Sequence, residues 1–329
     1  MGRGTMKISP EKLAAEAEAT GFRPDVLEKV ANLLGLLDAM RSHPFLKGKL
    51  VLKGGTALNL FVFDVPRLSV DIDLNYVGAE DRDVMLAERP KVEQAVQAVF
   101  AREGFTVRRM PEEHAGGKWS LRYESAPGRS GNLEVDINFM FRVPLWPVTT
   151  IDSHPVGTWR AIGIPVLDHH ELAAGKLAAL LARRQARDLF DSHRILRMDN
   201  LDSQRLRIGF VVYGGMNRKD WRTVSADDVD FDAMELARQL VPTLRVNAAE
   251  IQADLAEYGE RLVRECREGL SAVLPFTDPE RAFLDLLLDR GMIDPTLLTT
   301  DESLQRRIQS QSLLEWKALN VRQYKLRGE

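Results

Sequence analysis

Apolar and polar positions alternate along this chain in two registers. Ser9-Pro10 and Arg23-Pro24 each read as a helix start followed by apolar residues at helical spacing, so the first forty residues predict two helices. Leu50-Val51-Leu52 reads as a short buried strand, the Gly54-Gly55 turn ends it, and Thr56 to Phe63 reads as a short apolar helix. Val70 to Tyr76 alternates as a second strand. A helix is expected across Asp83 to Arg102, interrupted or restarted at Pro90. Strands are expected at Phe105 to Met110, Trp119 to Glu124 and Leu133 to Phe141. After a strand near Ile164 to Leu167, Asp168 with Glu171 gives a capping-box pattern that opens a helix to about Ala182, and nearly everything beyond is helical.

This succession predicts an α+β fold, a mixed sheet flanked by helices and followed by a mainly helical carboxy-terminal part. The expected domains are 1–45, helices packing on the core; 46–160, the sheet-bearing core; and 161–329, the helical domain. The boundary is placed in a stretch carrying Pro144, Pro147, Pro155 and Pro165. With 329 residues, 44% hydrophobic and 28% charged, the chain can bury a substantial core. No run approaches the roughly 20 apolar residues of a membrane span, and Met1 to Lys12 lacks the apolar core of a signal peptide, so a cytoplasmic protein without membrane contact is expected. A lone Cys266 excludes an internal disulfide and a cysteine zinc cluster.

Net charge is only −3, yet it is unevenly spread. Arg183 to Arg222 holds ten Lys or Arg against five Asp, whereas Thr223 to Glu302 holds eighteen acidic residues against seven Arg. Arg183, Arg184, Arg187, Arg194 and Arg197 therefore form either a phosphate-facing cluster or a solvated helix face with local salt bridges.

The chemistry centres on Ser69-Val70-Asp71-Ile72-Asp73-Leu74. Side chains alternate along a strand, so Asp71 and Asp73 share one face while Val70, Ile72 and Leu74 face a core. Two neighbouring carboxylates repel, and a hard cation such as Mg2+ gives a physical reason for the pair. Two acids facing water on an edge strand would read the same way. Upstream, Lys53-Gly54-Gly55-Thr56 stands at a strand-to-helix junction, where paired glycines let amides approach a phosphate and a helix start favours the anion. A plain turn remains the alternative for the glycines. In Leu133-Glu134-Val135-Asp136-Ile137-Asn138-Phe139, Glu134, Asp136 and Asn138 share a face. If that strand lies beside the first, Asp136 completes a carboxylate trio or serves as base for an incoming hydroxyl.

These residues resemble the nucleotidyltransferase superfamily, specifically the AbiEii/AbiGii (MenT-like) toxin branch. Lys53-Gly54-Gly55-Thr56-Ala57-Leu58 followed by Arg67-Leu68-Ser69-Val70-Asp71-Ile72-Asp73-Leu74 is similar to its first motif. Glu171-Leu172-Ala173-Ala174-Gly175-Lys176-Leu177 is similar to its lysine motif, and Arg184-Gln185-Ala186-Arg187-Asp188-Leu189-Phe190-Asp191 to its R-x-[KR]-D-x-x-D motif. On the residues alone, Lys176 falls on the apolar stripe of its helix, where an ammonium needs a partner or snorkels from the edge. Asp188 and Asp191 share a helix face, and Arg184 stands at salt-bridge spacing from Asp188.

The resemblance implies transfer of a nucleoside monophosphate from an NTP to an acceptor hydroxyl, with pyrophosphate leaving. Mg2+, or Mn2+ in its place, would be held by Asp71 and Asp73. Lys53, Gly54, Gly55, Thr56 and Ser69 would bind the nucleotide, with Asp136, Lys176 and Asp188 catalytic and Asp191, Arg184 and Arg187 as additional contributors. The implied acceptor is a tRNA 3′ end, and the implied partner a cognate antitoxin. An aminoglycoside-type small-molecule transferase and a non-catalytic nucleotide-binding module are the rival readings.

Overall fold

A computed structural model of the chain describes residues 8–109, 116–246 and 254–326. Over these residues the chain divides into two compact units. One is drawn from residues 8–109, 116–142, 148–167 and 241–246, the other from 143–147, 168–240 and 254–326.

The first unit opens with α1 (Pro10–Thr20) and α2 (Pro24–Ser42), each with proline in its first turn as expected. Leu27, Val30, Leu34 and Leu37 recur at helical spacing along α2 and are buried. Next come β1 (Leu50–Lys53), α3 (Gly54–Ala57), which continues as a wider π turn over Leu58–Val62, and β2 (Asp71–Tyr76). They are followed by α4 (Arg82–Arg102), β3 (Thr106–Arg109), β4 (Gly116–Glu124), β5 (Ser130–Asn138), β6 (Thr149–Ile151) and β7 (Ile164–Val166). The seven strands form one mixed sheet in the order β3-β4-β5-β2-β1-β7-β6. β2 and β5 run parallel, which requires the long crossover through α4, whereas β1 with β2 and β4 with β5 are antiparallel. One face of the sheet is apolar, with Leu52, Ile72, Leu74, Trp119, Leu121, Val135 and Ile137 buried, and α2 packs against β5 and β7.

Two of these expectations need correcting. α4 runs unbroken through Pro90. The proline is exposed, so the carbonyl that loses its helical partner can turn to water, while buried Met85, Val92, Val96 and Val99 hold the helix on either side. β5 stops at Asn138 rather than Phe141, because the Asn138 side chain accepts from the amides of Met140 and Phe141 and turns the chain. Of the strand expected to reach Met110, that last residue lies outside the described residues.

In the second unit, α5 (His169–Ala182) packs against α6 (Ala186–Ile195) and α7 (Ser203–Gly215), with further helices at Leu255–Gly269, Asp278–Asp285, Glu302–Gln309 and Ser312–Leu326. Asp168 caps α5 by accepting from the His170 amide, as expected. Glu171 does not complete a capping box. Its carboxylate is buried and accepts instead from the Leu145 amide and the Tyr213 hydroxyl, partners that a local pattern cannot reveal. No helix among the described residues is long and apolar enough to cross a membrane.

Candidate active site

Strand register places the first cluster. Asp73 of β2 lies opposite Lys53 of β1 and beside Asp136 of β5, and Asp136 lies opposite Lys118 of β4. Residues in register point to the same face of a sheet, so Lys53, Asp73, Asp136 and Lys118 form one row across four strands. The adjoining row runs Asp71, Glu134 and Ser120. The pairing on which a carboxylate trio depended is thus present: Asp71, Asp73 and Asp136 share a face, with Glu134 as a fourth acid among them.

The glycine motif abuts this row. Gly54 takes a positive φ of 72°, and a Cβ there would run into Oδ2 of Asp73 and stand 3.1 Å from its Cβ and Cγ. The backbone is therefore pressed against the Asp73 carboxylate in a way that glycine alone allows. The amides that follow open a helix, where first-turn N–H groups lack intrahelical acceptors and favour an anion. Thr56 is fully buried and its hydroxyl donates to the Asp71 carbonyl at 2.5 Å, so its proton is committed to fixing β2. Ser69 is also buried, just ahead of β2, and Lys53 reaches over the Phe141 ring, 5.1 Å from its centroid.

Sequence reasoning missed Lys118. Its Nζ lies 2.5 Å from Glu134 Oε2, and this hydrogen bond, aided by the charges of Glu134, Asp71 and Asp136, raises the lysine above its ordinary pKa. The signal was available: Lys118-Trp119-Ser120-Leu121 alternates polar and apolar, but the strand was expected to begin one residue later.

The donor set fits a hard divalent cation. Asp71, Asp73 and Asp136 offer only carboxylate oxygens, partly exposed on one face, and Gly54 leaves room for Asp73 where a side chain would not.

The second cluster lies in the second unit. Lys176 Nζ lies 2.9 Å from Asp188 Oδ1 and 3.1 Å from Asp191 Oδ2, and Arg183 Nε lies 2.7 Å from Asp188 Oδ2. The Lys176, Asp188 and Asp191 side chains are 9%, 2% and 0% exposed. Burial works to raise the Asp188 pKa, but the Lys176 ammonium and Arg183 guanidinium outweigh it and hold the carboxyl below its ordinary value. The ammonium on an apolar stripe thus has carboxylate partners, and Asp188 takes Arg183 rather than Arg184. Arg184 pairs with Asp230, Arg197 with Glu265, and Arg194 lies over the Phe190 ring, so much of the arginine cluster faces acids and a ring of its own unit. Arg187 sits half-buried on α6.

Two other groups concern metal or acid chemistry. Ligand atoms of Asp168, His169 and His170 lie within 4.8 Å of one another. His170 Nδ1 lies 2.9 Å from Asp168 Oδ1, and its Nε2 accepts from the Asp202 amide, which places the ring proton on Nδ1 and engages both nitrogens. Arg205 stands 3.8 Å from Asp168. This arrangement caps α5 and disfavours a cation. Glu171 is fully buried, and burial pushes its pKa up to about 7 against its hydrogen bonds from Tyr213, Leu145 and Trp146. Cys266 is buried, its thiol pushed up to about 12, consistent with a structural cysteine.

A mixed sheet with a glycine-led helix after β1 and acids in register on β2 and β5 defines a nucleotidyltransferase-like fold. A solved structure shares it: MenT4, a nucleotidyltransferase toxin from Mycobacterium tuberculosis H37Rv, at 18% identity and a TM-score of 0.57, with 92% of this chain and 98% of that chain covered. The family model for the nucleotidyl transferase AbiEii toxin of type IV toxin–antitoxin systems matches residues 35–274, and the chain belongs to that family. Among curated proteins none matches it. The family implies a nucleoside triphosphate substrate, in general a divalent metal, and an antitoxin partner.

Proposed function

We propose that this chain is a Mg2+-dependent toxin that transfers a nucleoside monophosphate from an NTP to the 3′ end of a tRNA, so that translation stops until a cognate antitoxin relieves it. The observation that carries the reading is the placement of Asp73 between Asp136 and the backbone of Gly54, which sets three carboxylates beside a helix start suited to phosphate. Asp71 and Asp73 would hold the metal, and Asp136 would accept the proton of the attacking hydroxyl. When bound there, Mg2+ neutralises charge on the triphosphate and makes the hydroxyl more acidic. The amides of Gly54, Gly55 and Thr56 orient the phosphates, with Lys53 and Ser69 beside them, and the Thr56 hydroxyl keeps β2 in place. The roles that the family resemblance assigns to Lys176 and Asp188, charge neutralisation and support of activity, belong to the same proposal.

The tRNA acceptor rests on family membership more than on the basic segment, because Arg183, Arg184 and Arg197 already face carboxylates. Incubation with each labelled NTP, Mg2+ and total tRNA tests the reading. Label on tRNA, lost in Asp71→Ala, supports it. Label only on small hydroxylated acceptors contradicts the acceptor, and absence of transfer with every NTP contradicts the enzyme.

A further inference from the structure

We propose that Lys118 is a positioning residue that holds Glu134 out of the metal-binding set, leaving that set to Asp71 and Asp73. The inference rests on the metal-binding reading of those two aspartates. Glu134 is in register with Asp71 on the neighbouring parallel strand, so the face carries four carboxylates, not three. Lys118 is in register with Asp136, yet its Nζ reaches diagonally to Glu134, at 2.5 Å. The Lys118 and Glu134 side chains are 58% and 43% exposed. An ion pair this exposed adds little to folding. What it does is tie up the carboxylate that stands beside Asp71.

The distinction bears on which cation is held. Mg2+ requires a tight octahedron and keeps positions for water and substrate phosphate oxygens, whereas Ca2+ accepts six to eight oxygens and gains from an extra carboxylate. With Glu134 held by Lys118, the protein supplies few oxygens and leaves room for those of the triphosphate. With Glu134 released, the site becomes richer in fixed oxygens and better suited to the larger ion.

Manganese EPR titration of the full-length protein, with Mg2+ and Ca2+ as competitors and no nucleotide, measures this directly. Lys118→Met should tighten Ca2+ by roughly tenfold and Mg2+ by no more than about threefold, the smaller change reflecting loss of one nearby positive charge. Lys118→Gln should behave alike. In Lys118→Met combined with Glu134→Gln, both ions should return to within about twofold of the wild-type protein. Unchanged affinity in Lys118→Met, an equal gain for both ions, or a double variant that keeps the gain would overturn the proposal. A wild-type protein that binds no Mn2+ would overturn it together with the metal-binding reading of Asp71 and Asp73. Wild-type binding that is lost in Asp71→Ala but indifferent to Lys118 would overturn this inference alone.

Discussion

Gly54, at the start of α3, lies against Asp73 of β2: a β-carbon on the glycine would occupy the space of an Asp73 carboxylate oxygen. Gly54→Ala therefore forces two adjustments, a non-glycine residue at a φ of 72° and a displaced Asp73. We expect a loss of about 1–3 kcal/mol in chemical denaturation and a fall in nucleotidyl transfer of at least about a hundredfold, since misplacement by about 1 Å has that effect. Transfer at wild-type rate by Gly54→Ala would show that the close approach has no functional meaning.

The buried charges of α5 and α6 make a second prediction. Lys176→Met takes from Asp188 and Asp191 the ammonium that lies 2.9 Å and 3.1 Å from them, while Arg183 still faces Asp188. Removing one partner of a buried ion pair costs about 3–5 kcal/mol, so urea denaturation should show a loss on that order. Combining it with Asp191→Asn should recover part of the loss. Equal stability of Lys176→Met and the wild-type protein would contradict the cluster.

Glu171 gives a pH prediction. Its folded pKa of about 7 lies above the ordinary 4.5, so the folded state binds the proton more tightly than the unfolded chain. The stability it contributes is fully present below pH 4.5 and is lost as pH rises towards about 7. In Glu171→Gln, an amide can keep bonds to Leu145 and Tyr213 without titrating. The difference in unfolding free energy between wild type and variant should change by on the order of 3 kcal/mol between pH 4 and pH 8, in favour of the variant at the higher pH. A pH-independent difference would place the Glu171 pKa at its ordinary value.

Much of this was legible in the sequence where periodicity is local. The alternation of Asp71 and Asp73 with Ile72 and Leu74, and of Glu134 and Asp136 with Val135 and Ile137, fixed which faces carry acid, and the paired glycines marked the turn before the helix. Register was not legible. Nothing local says that Asp73 stands beside Asp136, or that Lys53 and Lys118 bound that row, because strand pairing is decided by distant segments. The same limit explains Glu171, whose apparent capping role yields to Leu145 and Tyr213, and Arg184 and Arg197, whose carboxylate partners Asp230 and Glu265 come from the later acidic stretch. Pro90 misled for a physical reason: the usual penalty of a proline inside a helix is softened where the freed carbonyl faces solvent.

The central claim is that the acidic row of β2 and β5 performs nucleotidyl transfer, and pyrophosphate release tests it most directly. Wild-type protein with γ-labelled NTP, Mg2+ and total tRNA should release labelled pyrophosphate in step with nucleotide added to the tRNA. Asp73→Asn, which keeps the shape and removes the charge, should lower both by at least about a hundredfold. Undiminished pyrophosphate release by Asp73→Asn would contradict the account.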